Sequence, residues 1–281
     1  MSKVIVTADS TCDLSPELIE KYGIRISPLY VRMGEEEHRD GVDVDSDRLF
    51  AYVAETGTLP KTAACSAEDY ERLFRPIVEE GNEVVHINLS GEFSSCYQNA
   101  HLAAQEMKGV YIIDSLNLST GSGLLAIEAA ELAAEGKSGQ EIFGILEEKK
   151  KRLNVSFVLD TMEYLAKGGR CSQMVSLAAG LLKLRLCIEV QNGKMTVSKK
   201  YRGKMSPVLK QYVHERLQAA GKAETRRIFI TDSGMDEVIV EEVRAAILEE
   251  APFAEILHTR AGCTISSHCG PNCLGILFFE A

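Results

Sequence analysis

Short apolar runs alternate with longer amphipathic segments through the first half of the chain. Four of these runs predict buried strands: KVIVTA (3–8), IRISPLYV (24–31), EVVHINL (83–89) and VYIID (110–114). Apolar residues that recur every three or four positions predict helices near 45–54, 67–79 and 138–152, and NLSTGSGLLAIEAAELAAEG predicts a long apolar helix. Strands that alternate with helices predict an α/β fold whose parallel sheet is covered on both faces.

Two polar stretches of this half carry weaker patterns. The segment RMGEEEHRDGVDVD is compatible with a hairpin or with an excursion from the fold, and TGTLPKTAACS is predicted to be a loop.

The second half has a different order of predicted elements, because several of its strands are not separated by helices. VSFVL (155–159) predicts a strand, and a short apolar helix is predicted near 173–183. The segment RLCIEVQNGKMTVSKK predicts a hairpin that turns at Asn192-Gly193. Helices near 204–220 and 235–250 and the strands RRIFITD, FAEILH and LGILFFE complete a mixed sheet. We therefore predict an N-terminal α/β domain (1–153) and a C-terminal mixed-sheet α/β domain (154–281).

Composition and charge exclude several classes of protein. The 281 residues are 45% hydrophobic and 26% charged, as in ordinary globular proteins, and carry a formal net charge of -10. This charge argues against a nucleic-acid partner, because phosphate binding needs basic surfaces. The sequence contains no apolar run long enough for a transmembrane segment. The opening MSKVIVTADS predicts a strand rather than a signal peptide, so we expect a cytoplasmic protein whose eight cysteines are free thiols.

The stretch LSGEFSSCYQNAHLAA (89–104) places Ser90, Ser94 and Ser95 where a predicted strand leads into a predicted helix. The first turn of a helix offers unpaired N–H groups and a partial positive charge, which together suit an anion. The stretch lacks the glycine-lysine pattern of a nucleotide P-loop and the G-x-S-x-G pattern of a hydrolase elbow. An ordinary serine N-cap explains it equally well.

Four further residues are candidates for a site. Thr62, in LPKTAACSAEDY, is not predicted to cap a helix. His268, in TISSHCGP, lies between a predicted strand and a Gly-Pro turn. Arg170, in KGGR, and Arg202, in KKYRGKMSP, suit a phosphate or a partner carboxylate. The alternative for each is structural: a solvated loop, a hydrogen-bonded core histidine or a solvated charged face.

Metal binding is the weaker interpretation of the cysteine-rich end. Cys263, His268, Cys269 and Cys273 are candidate zinc ligands, but they lack the close C-x2-C pairs that structural zinc sites usually show. Asp9 and Asp13 follow the first strand, where they could bind magnesium or cap the next helix. We predict no metal site and no cofactor.

Together these stretches make the whole chain resemble the DegV family of bacterial fatty-acid-binding proteins. The resemblance rests on seven segments in their order: VIVTADSTCDLS, GVDVDSDRLFAYV, LPKTAACSAEDY, LSGEFSSCYQNA, YLAKGGRCS, YRGKMSPVL and TISSHCGPNCLGILFF.

The resemblance implies a DegV-like two-domain fold with a three-layer N-terminal domain. It also implies a non-catalytic protein that buries a long-chain fatty acid, of the palmitate, stearate or oleate class, between its domains. The carboxylate-binding positions of the family match Thr62, Ser94 and His268, and Ser95 lies beside them. Some members present the carboxylate to a fatty-acid kinase, and for these the resemblance implies that Arg170 and Arg202 contact the kinase or the phosphoryl group. The apolar stretches SLAAGLLKL and TGSGLLAIEAAEL are candidates to line the tunnel.

The chain departs from the family pattern at three places. The turn usually reads Ser-Gly-Thr-Tyr, and here it is Ser94 to Tyr97 with Ser95 and Cys96 at its centre. The loop usually reads Thr-Ser-Gln-Pro-Ser, and here Cys65 replaces the proline. Asn272 replaces the last glycine of Gly-Pro-Gly.

Several alternatives stay open. The rival interpretation is a hydrolase or acyltransferase in which Ser94 or Cys96 is the nucleophile and His268 the base. Chain length and saturation of the ligand, the existence of a kinase partner, the oligomeric state and transient contact with a membrane surface are not determined by the sequence.

Overall fold

Two main β-sheets organise the chain, and each is formed by one half of the sequence. The structure is a computed structural model, and it describes residues 2–170 and 184–281. Its strands are β1 (Val4–Asp9), β2 (Arg25–Ser27), β3 (Tyr30–Met33), β4 (Glu36–Arg39), β5 (Lys61–Ala63), β6 (Glu83–Asn88), β7 (Val110–Asp114), β8 (Leu153–Leu159), β9 (Leu184–Gln191), β10 (Lys194–Arg202), β11 (Ala223–Asp232), β12 (Glu255–Arg260) and β13 (Leu274–Glu280). Its α-helices are α1 (Pro16–Tyr22), α2 (Ser46–Thr56), α3 (Ala67–Glu79), α4 (Cys96–Ala104), α5 (Thr120–Ala134), α6 (Gly139–Lys149), α7 (Glu163–Gly168), α8 (Met205–Ala219), α9 (Glu237–Glu250) and α10 (Cys263–Cys269).

The N-terminal sheet is parallel throughout, in the order β2-β1-β6-β7. The central strands β1 and β6 are almost wholly buried, as expected where helices cover both faces of a sheet. Helices α3 and α4 contact this sheet, and so do α5 and α6. The α/β prediction for this half is therefore confirmed.

The prediction of a single strand over residues 24–31 is wrong, because the structure divides this run between two sheets. Strand β2 pairs with β1, whereas β3 pairs antiparallel with β4 and β5 in a separate three-stranded sheet. Pro28 stands at the break, where it has no N–H to donate to a ladder. The same small sheet decides between the two interpretations of RMGEEEHRDGVDVD in favour of a hairpin, and it contains β5, which the sequence predicted as loop.

The C-terminal sheet is mixed, as predicted, in the order β10-β9-β8-β13-β11-β12. Strands β11 and β12 are parallel, and the other neighbours are antiparallel. The β9–β10 hairpin turns at Asn192 and Gly193, whose φ angles of 49° and 76° are those that the tight hairpin turn requires.

Helix α5 joins the two sheets because it packs between them. It contacts β1 and β6 on one side and β8 and β13 on the other, and ten of its fifteen residues are buried. This placement explains why its sequence is apolar around most of its circumference. One hydrophobic core consequently crosses from the first sheet to the second. The first strand of the second sheet begins at Leu153, and the division into two domains stays a prediction.

Two buried aspartates of the N-terminal half hold the beginning of α10. Asp13 Oδ1 accepts a hydrogen bond from the N–H of Gly262 at 2.9 Å. Asp40 accepts from the N–H groups of Cys263 at 2.7 Å and Thr264 at 3.0 Å. These two carboxyl groups pair three amide donors that the short helix leaves free. They also fix α10 against a part of the chain that lies more than 220 residues away in sequence.

Within the described ranges, no helix combines the length and the apolar character that crossing a membrane would require.

Candidate functional site

Two adjoining cavities lie where the halves meet. The inner cavity, with about 530 Å³ of space between atoms, is walled by the C-terminal sheet and includes Ser156, Phe157, Leu165 and Leu277. The outer cavity, of about 490 Å³, is lined by Thr62, Ser94, Phe93 and Arg170 among others. Both include Leu118, Met195, Ile265 and His268, so the two spaces share one wall.

A threonine and a histidine from opposite halves meet at this shared wall. Thr62 Oγ1, on β5, lies 2.9 Å from His268 Nε2, on α10. Ser94, at the turn before α4, lines the same outer cavity. The structure therefore brings together Thr62, Ser94 and His268, three of the predicted site residues.

The imidazole of His268 is neutral at physiological pH. Burial lowers its pKa to about 4, and the positive charge of Arg170 contributes in the same direction. Its Nδ1 atom is buried and makes no hydrogen bond within the described part of the chain. A neutral ring has one N–H, so it donates from Nε2 or from Nδ1, but not from both.

Gly168, the last residue of α7, makes room for this ring. A Cβ atom at position 168 would lie 2.4 Å from His268 Nδ1 and 3.2 Å from Cε1. The ring is therefore clamped between Gly168 on one side and Thr62 on the other. The carbonyl of Gly168 accepts a hydrogen bond from Arg170 Nη1 at 2.9 Å. Gly168 is thus next to the ring of His268 and also hydrogen-bonded to Arg170, which lines the outer cavity.

The structural and the ligand-binding interpretations of Ser94 are compatible. Ser94 Oγ accepts a hydrogen bond from the backbone N–H of Cys96 at 3.2 Å, as a capping side chain does, and lies 3.2 Å from Cys96 Sγ. The hydroxyl nevertheless belongs to the wall of the outer cavity. Ser95, in contrast, is exposed, makes no side-chain cap and lies outside both linings, so the structure does not place it with the other candidates.

The two predicted arginines occupy different positions. Arg170 is exposed and lines the outer cavity, which places it at the mouth. Arg202 is exposed at the end of β10, opposite Leu184, and neither cavity includes it. Its predicted contact with a ligand phosphoryl group gains no support from this position.

His268 lies on a helix, where the sequence pattern had placed it between a strand and a turn. The local sequence provides no side-chain cap for this helix, because Gly262 stands at its N-cap position. The caps are supplied by Asp13 and Asp40 from the other half. A signal of this kind cannot be recognised in a local window of sequence.

The enzyme and zinc interpretations find no matching arrangement. Among residues 2–170 and 184–281, no hydrogen bond joins His268 to Ser94 or Cys96, as an activated nucleophile would need. No group of three or more metal-ligating side chains occurs in the same ranges. The seven described cysteines are free and buried; Cys269 and Cys273 face the inner cavity.

The tunnel predictions have mixed outcomes. The predicted helix near 173–183 and nearly all of SLAAGLLKL lie outside the described residues. TGSGLLAIEAAEL forms α5, which builds the core, while Leu118 and Ser119 immediately before it reach the inner cavity. The sequence did not single out Met195, Ile265 and Leu118, which form the shared wall with His268; each is one apolar residue among many of its kind.

The fold and the site define a class: a two-sheet α/β protein with a neutral hydroxyl–imidazole cluster at the polar end of apolar cavities. The family described as "Uncharacterised protein, DegV family" matches residues 3–281, and the chain belongs to it. A DegV domain-containing protein of Clostridium perfringens is 30% identical, over 100% of this chain and 99% of that protein. A Thermotoga maritima protein named "Fatty acid-binding protein" is 29% identical, over 97% of this chain and 96% of its own length.

A solved structure shares the architecture closely. It is described as showing fatty acid binding by a DegV family protein from Thermus thermophilus. It superposes with a TM-score of 0.92 at 30% identity and covers 99% of this chain and 100% of its own.

Proposed function

We propose that this protein binds one long-chain fatty acid and presents its carboxylate at the outer cavity without catalysing a reaction itself. The observation that carries the proposal is the Thr62–His268 contact. It joins the two halves at the wall shared by an apolar cavity and a cavity that Thr62 and Ser94 line with hydroxyl groups. The Thermus and Thermotoga relatives, whose names state fatty-acid binding, support the same ligand class.

The polar cluster suits a carboxylate. If the Nε2–H of His268 donates to Thr62 Oγ1, the threonine hydroxyl is free to donate its own hydrogen to the ligand. The buried Nδ1 atom is then unprotonated, so no N–H donor is left without a hydrogen bond there. Ser94 adds a second hydroxyl near the beginning of α4, where the helix dipole favours negative charge. Neutral donors hold the carboxylate without a permanent ion pair, which leaves it available to react.

The apolar inner cavity suits the acyl chain. Each buried methylene contributes about 0.8 kcal/mol, so a chain of about fifteen methylenes gives on the order of 12 kcal/mol before the costs of binding are subtracted. The tail therefore supplies most of the affinity, and the polar cluster fixes the orientation. Palmitate, stearate and oleate are the ligands we propose to test first.

A fatty-acid kinase is the proposed partner, as the family resemblance implies. Arg170 is the residue best placed to serve it, because its cation stands at the mouth of the outer cavity. There it can contact the kinase or the phosphoryl group that is transferred to the carboxylate. Arg202, exposed on β10, is proposed only as a contact to the kinase surface. A cytoplasmic location, where a kinase has access to ATP, goes with this proposal.

The deciding experiment is mass spectrometry of the purified full chain, in the native state and after organic extraction. We expect a stoichiometric C14–C18 fatty acid, or stoichiometric uptake of added oleate by delipidated protein. Protein that carries no lipid and takes up neither oleate nor palmitate would refute the proposal.

A further inference from the structure

One hydroxyl group in the wall of the outer cavity makes no hydrogen bond within the described part of the chain. It belongs to Thr264, on α10, which is buried with 4% of its surface exposed. The two other hydroxyls that the described residues contribute to this wall are paired. Thr62 Oγ1 lies 2.9 Å from His268 Nε2. Ser94 Oγ accepts a hydrogen bond from the N–H of Cys96 at 3.2 Å.

The neighbouring serines of α10 bond to backbone carbonyls close to them in sequence. Ser266 Oγ donates to the carbonyl of Ala261 at 3.1 Å. Ser267 Oγ donates to the carbonyl of Cys263 at 2.7 Å. The hydroxyl of Thr264 makes no such bond to a described residue, and a buried hydroxyl without a partner costs free energy. A molecule that fills the outer cavity can supply the missing partner.

The position of Thr264 on α10 directs its side chain to the same cavity as His268. Residues four apart lie one above the other on a helix, and both of these residues line the outer cavity. His268 also lines the inner cavity, whereas Thr264 lines the outer cavity alone. The hydroxyl of Thr264 is therefore available to the polar end of a ligand rather than to the apolar chain in the inner cavity.

The backbone of Thr264 is held from the other half of the chain. Its N–H donates to Asp40 Oδ2 at 3.0 Å, and the preceding N–H, of Cys263, donates to Asp40 Oδ1 at 2.7 Å. Threonine is also branched at Cβ, which restricts its χ1 rotamers. Because the side chain is positioned before a ligand arrives, little side-chain entropy is lost when it forms a hydrogen bond to that ligand.

We propose that Thr264 is a further head-group residue, whose hydroxyl donates a hydrogen bond to the carboxylate of the bound fatty acid. The inference deepens the proposed function and rests on it. A carboxylate has two oxygen atoms with about four acceptor sites, so it can accept from Thr62, Ser94 and Thr264 together. Thr62 and Ser94 belong to the N-terminal half, and Thr264 adds a hydroxyl from the C-terminal half.

The proposal predicts that one substitution leaves stability intact and weakens binding. Thr264→Val replaces the hydroxyl by a methyl group of similar size, so the lipid-free protein loses a buried polar group that has no partner. It should therefore melt at the temperature of the wild type or above it. The same substitution removes a hydrogen bond to a charged group from the complex, so the Kd for oleate should rise about tenfold. A side chain that only supported the fold would not separate the two effects in this way.

The test measures the binding of two ligands to delipidated full-length protein by isothermal titration calorimetry. Oleate has a charged head group, and methyl oleate has the same chain with a neutral head group that forms weaker hydrogen bonds. We expect Thr264→Val to lose about tenfold in affinity for oleate and clearly less for methyl oleate. Thr264→Ser keeps a hydroxyl and should bind oleate nearly as the wild type does. Wild-type affinity of Thr264→Val for oleate, or equal losses for both ligands, would overturn the inference.

Ser267→Ala is the matched control. Ser267 is buried on the same helix, but its hydroxyl is paired with a backbone carbonyl and it lines neither cavity. This variant should melt below the wild type and keep the affinity for oleate. If it lost as much affinity as Thr264→Val, the effect would belong to the packing of α10, and the assignment of Thr264 to the head group would be wrong.

Two further outcomes are separable. If Thr264→Val does not fold, Thr264→Ala removes the same hydroxyl and should show the same preference in its losses. Failure of the wild type to bind oleate would refute the proposed function and, with it, the role of Thr264. Binding by the wild type with an unchanged Kd in the variant would refute the role of Thr264 alone.

Discussion

Replacement of Gly168 by alanine tests whether the clamp on His268 governs ligand affinity. Gly168 is not in the left-handed region of the backbone, so the substitution changes the available space without introducing backbone strain. The added Cβ would lie 2.4 Å from His268 Nδ1, against the 3.4 Å or more of an ordinary contact, so the ring must move by about 1 Å. Thr62, at 2.9 Å, blocks movement in its own direction.

The ring must therefore turn out of its slot, and its hydrogen bond to Thr62 is lost. Overpacking of this kind costs about 1–3 kcal/mol, and a hydrogen bond contributes about 0.5–1.5 kcal/mol. Since about 1.4 kcal/mol corresponds to a factor of ten, we expect Gly168→Ala to raise the Kd for oleate about tenfold. Isothermal titration calorimetry gives the affinity, and a thermal melt of the lipid-free protein should fall by a few degrees.

Gly144→Ala is the matched control. Gly144 lies in α6, and a Cβ atom there would meet nothing within 4 Å. This variant should keep the affinity for oleate and gain about 0.5–1 kcal/mol of stability, because alanine is the better helix former. Wild-type affinity and wild-type melting in Gly168→Ala would show that the ring is not clamped as the distances indicate.

Three further predictions concern the same junction. Thr62→Ala combined with Ser94→Ala should lower oleate retention while circular dichroism and melting stay near the wild type; unchanged retention would remove both residues from the site. Arg170→Ala should raise the pKa of His268 in an NMR titration, because one source of its depression is lost, and should reduce acyl-phosphate formation with a cognate kinase. Burial raises the pKa of Asp13 from 3.8 to about 8, so the folded state binds this proton more tightly than the unfolded state does. The free energy of unfolding should therefore fall as the pH rises from 4 to 8. Asp13→Asn should flatten this part of the pH profile measured by urea denaturation.

The arrangement of strands and helices could largely be predicted from sequence because it follows from local periodicity. The runs 83–89 and 110–114 became β6 and β7, and the Asn192-Gly193 turn formed the predicted hairpin. The prediction for the run 24–31 was wrong because this apolar stretch contributes strands to two different sheets. The chain passes from one sheet to the other at Pro28. Strand β5 was missed because three residues give too short a pattern for alternation to be recognised.

The site could be predicted only in part. Thr62, Ser94 and His268 were found through the resemblance to the DegV family, and the structure brings them to one cavity wall. The role of Gly168 depends on a single close approach between α7 and α10 and leaves no trace in spacing or composition.

The attachment of α10 to Asp13 and Asp40 makes the two halves one cooperative unit. Separating them would leave three amide donors and two carboxyl groups without these partners. Partial opening is therefore costly, and unfolding of both sheets should follow a single transition even though each sheet has a separate stretch of sequence. The histidine that completes the cavity exists in its working position only while the first forty residues are folded, so the site belongs to the whole chain and to neither half alone.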